Sequence, residues 1–259
     1  MTGADAGNAR AAGPPRSVRI VGAGRTGGAF ALALGEAGWE VELLVRGVPL
    51  DGAAAGIDLL LLCVPDAALA EVAEAVEPRS EAVVAHCAGA LTLDVLAAHP
   101  HRASIHPLVS LPSPAVGAVR LRDGAWFGVA AVDDQARSLV LDVVGDLGGR
   151  VVEPPEDRRA TYHAAAVVAS NHIVALMGQV ERLASTVGVP VEAYLGLAIG
   201  SISNVAELGP AAALTGPVAR DDWATVRAHL DALPADERDA YRSMAVEAAR
   251  LAGRDVPAI

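Results

Sequence analysis

The sequence contains no lysine, because all 20 of its basic residues are arginine. No lysine amine is therefore available as an acid, a base or a Schiff-base nucleophile. Aromatic residues make up only 3% of the chain, and there are two cysteines, Cys63 and Cys87. Both fall in predicted core strands and lack metal-ligand spacing. We interpret them as small buried hydrophobic residues in a reducing cytoplasm, and we expect no metal site.

Long hydrophobic runs are also missing. Although 53% of the residues are hydrophobic and mean hydropathy is +0.37, polar residues interrupt every long apolar segment. A membrane-spanning helix needs about 20 predominantly apolar residues, so we expect no membrane span. Residues 1–16 have no hydrophobic signal core and predict a disordered tail of a cytoplasmic protein. The formal net charge of −11 disfavours nucleic acids and anionic membranes as partners.

A glycine loop after a short β-branched run is the clearest motif of the N-terminal half. Residues 18–21 predict a buried strand, and Gly22, Gly24 and Gly27 follow it with G-x-G-x-x-G spacing. Gly22 suits the tight turn, Gly24 lets backbone N–H groups approach a pyrophosphate, and Gly27 allows close helix–strand packing. A small-residue apolar run typical of a helix comes next. This context favours a dinucleotide site over an ordinary tight turn.

Arginine occupies the position where NAD-binding domains carry an acidic residue for the ribose. Residues 39–45 predict the second strand, which ends at Arg46, and the glycine loop itself contains Arg25 and Thr26. Two guanidinium groups near a 2′-phosphate favour NADP over NAD. A solvated surface side chain is the alternative for each arginine taken alone.

Two further strand ends are expected to line the cofactor crevice. The most apolar strand candidate, residues 58–64, ends at Val64 and Pro65. Another strand ends at His86 and leads to Gly89. Ligands of parallel α/β sheets bind beyond the carboxyl ends of the strands. We therefore place these four residues beside the dinucleotide.

The order of elements predicts two domains. Strands alternate with helices over residues 17–153, which predicts an α/β Rossmann-type domain with a mostly parallel sheet. Every segment over 154–259 has helical character, which predicts an all-α domain. The apolar segment 164–180 is interpreted as a buried helix, and we expect the helix 164–183 to be covered by neighbouring helices or by a second subunit.

Several polar side chains stand within these apolar helices. At about 100° per residue, His163 and Ser170 share one helix face, and Asn171 lies near it. Asn204 and Arg220 follow later. Buried polar groups are costly unless paired. Each is therefore either a satisfied structural group or part of a functional site.

Together these motifs resemble the Rossmann-like proteins with a C-terminal DUF2520 domain, relatives of the 6-phosphogluconate dehydrogenase and ketopantoate reductase superfamily. The resemblance covers about residues 17–255. It rests on the glycine loop Gly22 to Gly27, Val64-Pro65-Asp66, His106-Pro107, Tyr162 to Ala166 with Ser170-Asn171, and Leu214 to Arg220. One departure is visible, since Asp221 stands where the pattern usually has glycine.

The resemblance implies an oxidoreductase that uses NADPH to reduce a small 2-oxo acid, specifically ketopantoate to pantoate, and a homodimer formed through the helical domain. In the better-known ketopantoate reductases, a lysine two helical turns before an asparagine acts as the acid. If Asn171 matches that asparagine, the lysine position falls at His163. We therefore expect His163 to donate the proton, Asn171 and Asn204 to hydrogen-bond the substrate oxygen, and Arg220 to anchor the carboxylate.

Other assignments stay open. His106 and His86 are reserve candidates near the nicotinamide. The chain can also be an imine reductase of the pyrroline-5-carboxylate reductase type, or a non-enzymatic NADP-sensing module without a working acid.

Overall fold

The computed structural model describes residues 15–259, and residues 1–14 of the expected tail lie outside the described residues. Two compact units follow each other along the chain. The first ends at Ser170, and the second comprises Asn171–Ile259.

A seven-stranded sheet forms the centre of the first unit, within the described part of the chain, with the strand order β2-β1-β3-β4-β5-β6-β7. Neighbouring strands are parallel except for β5 and β6, which are antiparallel. This confirms the predicted Rossmann-type fold with a mostly parallel sheet. The strands are β1 (Ser17–Val21), β2 (Glu40–Leu44), β3 (Leu59–Leu62), β4 (Val83–His86), β5 (Arg102–Pro107), β6 (Trp126–Ala131) and β7 (Arg150–Val152).

The core explains why the central strands are apolar at every position. All four leucines of β3 are buried. Leu59 and Leu61 belong to the core cluster that contains Phe30, whereas Leu60 and Leu62 belong to the cluster that contains Leu69. Alternate side chains of a strand point to opposite faces, so both faces of this sheet are covered. The helices of this unit are α1 (Arg25–Glu36), α2 (Leu69–Glu74), α3 (Pro114–Arg122), α4 (Asp134–Asp146) and α5 (Arg159–Val167).

The first unit extends beyond the boundary expected after residue 153, because α5 is anchored to the sheet unit. Arg159, at the start of α5, is only 1% exposed. Its guanidinium donates hydrogen bonds to Ser104 Oγ at 2.9 Å and to the Ala88 carbonyl at 3.3 Å. The start of the region expected to be a separate helical domain therefore belongs to the sheet unit.

The described chain is also ordered slightly before residue 17. Arg16, which the sequence places in the tail, forms an ion pair with Asp142. Its carbonyl accepts a hydrogen bond from the Glu40 N–H at 2.8 Å. These contacts tie the residue before β1 to β2 and α4.

The second unit is helical, as expected, with a small core. Val226 and Ala249 are fully buried within that core. No helix of the described residues is long and apolar enough to cross a membrane. The helices are α6 (Ile173–Thr186), α7 (Glu192–Leu208), α8 (Pro210–Ala213), α9 (Trp223–Ala232) and α10 (Arg238–Ala252).

The segment 164–180 is not one uninterrupted α-helix and is mostly exposed, so its burial by a second subunit stays a prediction. A π-helical turn, Val168–His172, separates α5 from α6. Within the segment only Gln179 is buried, whereas Val174 is 72% exposed.

Candidate active site

The glycine loop has the geometry that a dinucleotide requires. Gly22 has a φ of +107°, and a Cβ there would lie 2.5 Å from the Cys63 carbonyl oxygen. A Cβ on Gly27 would lie 1.9 Å from the Gly22 carbonyl oxygen, so only glycine permits this approach of helix to loop. A Cβ on Gly24 would meet nothing within 4 Å. The loop is therefore tight towards the sheet and open at Gly24.

Two arginines follow elements next to this open side, Arg25 directly after Gly24 and Arg46 after β2. Helix α1 begins at Arg25, and its first N–H groups have no partner within the helix, which makes the terminus attractive to a phosphate. Arg25 and Arg46 are both exposed. Among the described residues, neither forms an ion pair with a carboxylate. The Gly22 N–H donates to the Leu44 carbonyl at 3.1 Å, so Arg46 follows the strand end beside the loop. These residues fit a 2′-phosphorylated dinucleotide.

The ends of β3 and β4 lie beside the loop. The Cys63 N–H donates to the Val21 carbonyl at 2.8 Å, and Val64 and Pro65 follow it. A Cβ on Gly22 would lie 3.5 Å from Val64 Cγ1. The Sγ atoms of Cys63 and Cys87 are 3.5 Å apart, and both thiols are free. Val64, Pro65 and Gly89 thus lie at the expected edge of the sheet.

His86 differs from the expectation because its side chain is fully buried rather than lining a crevice. Its Nδ1 accepts a hydrogen bond from the Ala88 N–H at 3.1 Å, which leaves the ring proton on Nε2. Burial, with the Arg159 charge as a second cause, lowers the pKa of His86 to about 4. The residue is a neutral interior group at pH 7.

A cluster of His106, Tyr162 and His163 lies at the same edge of the sheet. His106 stands near the end of β5, and the other two stand on α5. His106 Nδ1 and the Tyr162 hydroxyl are 2.9 Å apart. The rings of His106 and His163 meet edge to face with centroids 5.7 Å apart. The structure therefore brings the expected acid, His163, together with the reserve candidate His106 and with Tyr162.

Two glycines make room for these rings. A Cβ on Gly89 would lie 2.5 Å from His163 Cδ2 and 2.8 Å from His106 Nε2. A Cβ on Gly128 of β6 would lie 2.2 Å from the Tyr162 hydroxyl oxygen. The sequence identified Gly89 from its strand end, whereas Gly128 carried no sequence signal.

Arg159 is the buried residue of this region that sequence reasoning missed. The Nη1 atom of Arg159 is buried without a hydrogen-bond partner in the described chain, and the same is true of the Nε2 atom of His86. Unpaired buried polar atoms are costly and need an explanation such as a functional role. The available signal was its position three residues after Glu156, whose carboxylate lies 3.8 Å from Arg159 Nε. Arg158 beside it is exposed, so the sequence alone does not separate the two.

The remaining predicted residues belong to the second unit. Asn171 lies in the π-helical turn, Asn204 lies on α7, and Arg220 ends a short 3₁₀ turn, and all three are exposed. Because α-helical geometry is interrupted at Val168, the projection that placed Ser170 on the face of His163 does not hold.

The departure at Asp221 has a structural meaning. Its φ is 60°, in the left-handed region that favours glycine, which is the residue usual in the pattern. The next residue, Asp222, caps α9, since its carboxylate accepts a hydrogen bond from the Thr225 N–H at 3.1 Å. Among residues 15–259, no group of three His, Cys, Asp or Glu side chains is placed to hold a metal ion.

Two family models match the chain. The model described as "Rossmann-like domain" matches residues 44–112, and the model described as "Domain of unknown function (DUF2520)" matches residues 125–248. The chain therefore combines a Rossmann-like domain with a DUF2520 domain, which confirms the resemblance. The DUF2520 match includes β6, α4 and β7 as well as later helices. No curated protein matches the chain.

Solved structures share the fold over almost the whole chain. A candidate NADP oxidoreductase of Bacteroides fragilis is 22% identical, with a TM-score of 0.76 over 93% of this chain and 99% of that one. A reductive aminase of Aspergillus terreus, in complex with NADPH and ethyl levulinate, is 16% identical, with a TM-score of 0.68 over 93% and 96%. A 1-pyrroline-5-carboxylate reductase of Streptococcus pyogenes is 14% identical, with a TM-score of 0.62 over 90% and 98%.

Proposed function

We propose that this protein is an NADPH-dependent oxidoreductase that reduces a small carboxylate-bearing 2-oxo acid, with ketopantoate to pantoate as the specific reaction. One observation carries the proposal: the open glycine loop and the cluster of His106, Tyr162 and His163 occupy the carboxyl edge of one sheet. This edge is where ligands of such sheets bind. The three solved relatives support it, because their descriptions include NADP, NADPH or a reductase.

The proposed chemistry divides between the cofactor and the chain. NADPH supplies the hydride when bound. Gly22, Gly24 and Gly27 hold the pyrophosphate against the start of α1, while Arg25 and Arg46 hold the 2′-phosphate, which makes NADP the preferred cofactor. His86 would not contact the cofactor directly, because its neutral side chain is buried beneath the end of β4.

The substrate is recognised and protonated by the remaining residues. His163 donates the proton as the carbonyl oxygen gains charge. Asn171 and Asn204 donate hydrogen bonds to that oxygen, and Arg220 binds the carboxylate with its bidentate guanidinium.

Replacement of His163 tests the proton donor. His163→Ala is expected to lower kcat by about 10²–10⁴-fold, the usual contribution of a general acid, with nearly unchanged NADPH affinity. The matched control is His101→Ala at the opposite end of β5. Full turnover in folded His163→Ala would assign the residue a structural role.

We also propose a homodimer through the helical unit. Helix α7 has no buried residue, although many of its side chains are apolar. Leu197 and Ile199, for example, are 69% and 68% exposed. A long apolar helix left in water is unfavourable, and a second copy of the same surface can cover it. Light scattering at micromolar concentration is expected to give the dimer mass, and a monomer mass would contradict the proposal.

Imine reduction is the second candidate, favoured by the two relatives described as a reductive aminase and a pyrroline-5-carboxylate reductase. A panel of 2-oxo acids and cyclic imines, with NADPH oxidation as the readout, separates the two. Binding of NADP without turnover of any panel member would favour the NADP-sensing module.

The predicted location stays the cytoplasm, where free thiols such as Cys63 and Cys87 remain reduced.

A further inference from the structure

The Tyr162 hydroxyl packs closely against Gly128, which leaves the hydroxyl little freedom to move. The hydroxyl oxygen lies where a Cβ of Gly128 would be, 2.2 Å from that position. His106 pairs with Gly128 across β5 and β6, so the phenol lies over the point where these two residues meet. The ring of Tyr162 meets that of His106 edge to face, with centroids 5.5 Å apart. Its hydroxyl is 2.9 Å from His106 Nδ1.

The direction of that hydrogen bond follows from the chemistry of the two groups. Burial is the main cause that lowers the pKa of His106 to about 4, with His163 and Arg159 as further causes. Burial also raises the pKa of Tyr162. At pH 7 the pair is therefore a neutral imidazole and a neutral phenol. A phenol O–H is a stronger donor than an imidazole N–H, and an imidazole nitrogen is the better acceptor. The phenol donates to Nδ1.

If Nδ1 accepts, the ring proton of His106 is on Nε2. This atom lies against Gly89, where a Cβ would be 2.8 Å away. Among the described residues, no hydrogen bond occupies Nε2. Gly89 follows the carboxyl end of β4, and the glycine loop follows the carboxyl end of β1 in the same sheet. The Nε2–H of His106 is therefore an available donor beside His163.

We propose that Tyr162 is a positioning residue that holds His106 in its Nε2–H tautomer, and that His106 donates this hydrogen bond to the substrate oxygen. The second clause rests on the proposed reductase function, and the first does not. A fixed neutral donor stabilises the charge that develops on the oxygen without reorganising during the reaction. His106 then donates a hydrogen bond to the substrate oxygen, and His163 donates the proton.

The charged and titratable groups around His106 are consistent with this division. Arg159 and His163 face it from α5, together with Tyr162, and His86 faces it from β4. The nearby guanidinium disfavours a second positive charge on the histidine. Neutral His106 with one defined tautomer is the state that these groups stabilise.

Long-range ¹H–¹⁵N spectra of protein labelled with ¹⁵N-histidine test the tautomer directly. The wild type is expected to show His106 protonated at Nε2, with the signals assigned by their loss in His106→Gln. In Tyr162→Phe, which removes only the hydroxyl, the Nδ1 signal is expected to shift as the tautomer preference weakens. Tyr241→Phe is the matched control, because Tyr241 hydrogen-bonds His229 at 2.6 Å in the second unit. It is expected to leave the His106 signals unchanged.

Turnover supplies the second readout. Tyr162→Phe is expected to lower kcat about tenfold with a smaller change in KM, as for loss of one orienting hydrogen bond. His106→Gln places an amide nitrogen near the position of Nε2, whereas His106→Asn places its amide near Nδ1. We expect the glutamine variant to retain more turnover than the asparagine variant.

The outcomes separate the inference from the proposed function. Protonation of wild-type His106 at Nδ1, or identical His106 signals in wild type and Tyr162→Phe, would overturn the positioning role even if the enzyme is active. The wild-type spectrum decides this point even if a variant does not fold. An Nε2–H tautomer in a protein without reductase activity would preserve the positioning role and reject the substrate contact.

Discussion

Acid should destabilise this protein through His86, whose burial at the end of β4 keeps it neutral. In the folded chain its pKa is lowered from 6.5 to about 4, mainly by burial. Below pH 6.5 the unfolded chain therefore binds a proton that the folded chain does not bind. Stability is complete above that pH and is lost as the pH falls towards 4.

The size of the effect follows from the two pKa values. Between pH 7.5 and pH 5, this one histidine should lower the free energy of unfolding by about 2 kcal/mol. The pKa of His106 is lowered to about 4 as well, so it acts in the same direction. A loss of this size is a large fraction of the stability of an ordinary domain.

Urea unfolding of wild type and His86→Asn over this pH range measures the difference. Asparagine retains an acceptor near Nδ1 for the Ala88 N–H but does not titrate. The variant should lose about 2 kcal/mol less than wild type between pH 7.5 and pH 5. Val84→Ala, a buried position on the same strand, is the control that lowers stability without changing its pH dependence. Parallel pH profiles for wild type and His86→Asn would refute the reasoning.

Three further predictions concern the glycine loop, the cofactor and assembly. Gly27→Ala should lower the stability of the fold in urea unfolding, because its Cβ would lie 1.9 Å from a carbonyl oxygen. Gly24→Ala, whose Cβ would meet nothing within 4 Å, should fold with wild-type stability, and equal losses of stability in the two variants would contradict the geometry. Arg46→Ala should weaken NADPH binding more than NADH binding, so equal losses would remove the case for a 2′-phosphate contact. Ile199→Glu on α7 should shift the dimer towards monomer in light scattering, and an unchanged mass would exclude this helix from the interface.

The first unit could be predicted in some detail because its signals are local. A buried parallel strand requires a continuous apolar run, and Leu59 to Leu62 provide one. The tight approach of α1 to β1 requires glycine at defined spacing, and Gly22 and Gly27 provide it. Such constraints act within a few residues of chain, so the sequence displays them directly.

The rest depends on contacts between distant segments. Burial of Arg159 arises from its bonds to Ser104 and Ala88, which no local pattern records. The position of the Tyr162 hydroxyl requires glycine at residue 128. Gly128 lies within a strand, so no turn pattern in the sequence indicates its role. Apolar composition predicted burial of residues 164–180, but burial also needs a covering surface, which composition does not specify, and only Gln179 of the segment is buried.

Reduction of a substrate by NADPH is the central claim, and its most direct test is NADPH oxidation by the purified full chain against ketopantoate, related 2-oxo acids and cyclic imines. We predict that ketopantoate or a related 2-oxo acid is reduced with one NADPH oxidised per product formed. NADPH that binds but is oxidised with no member of this panel would contradict the account.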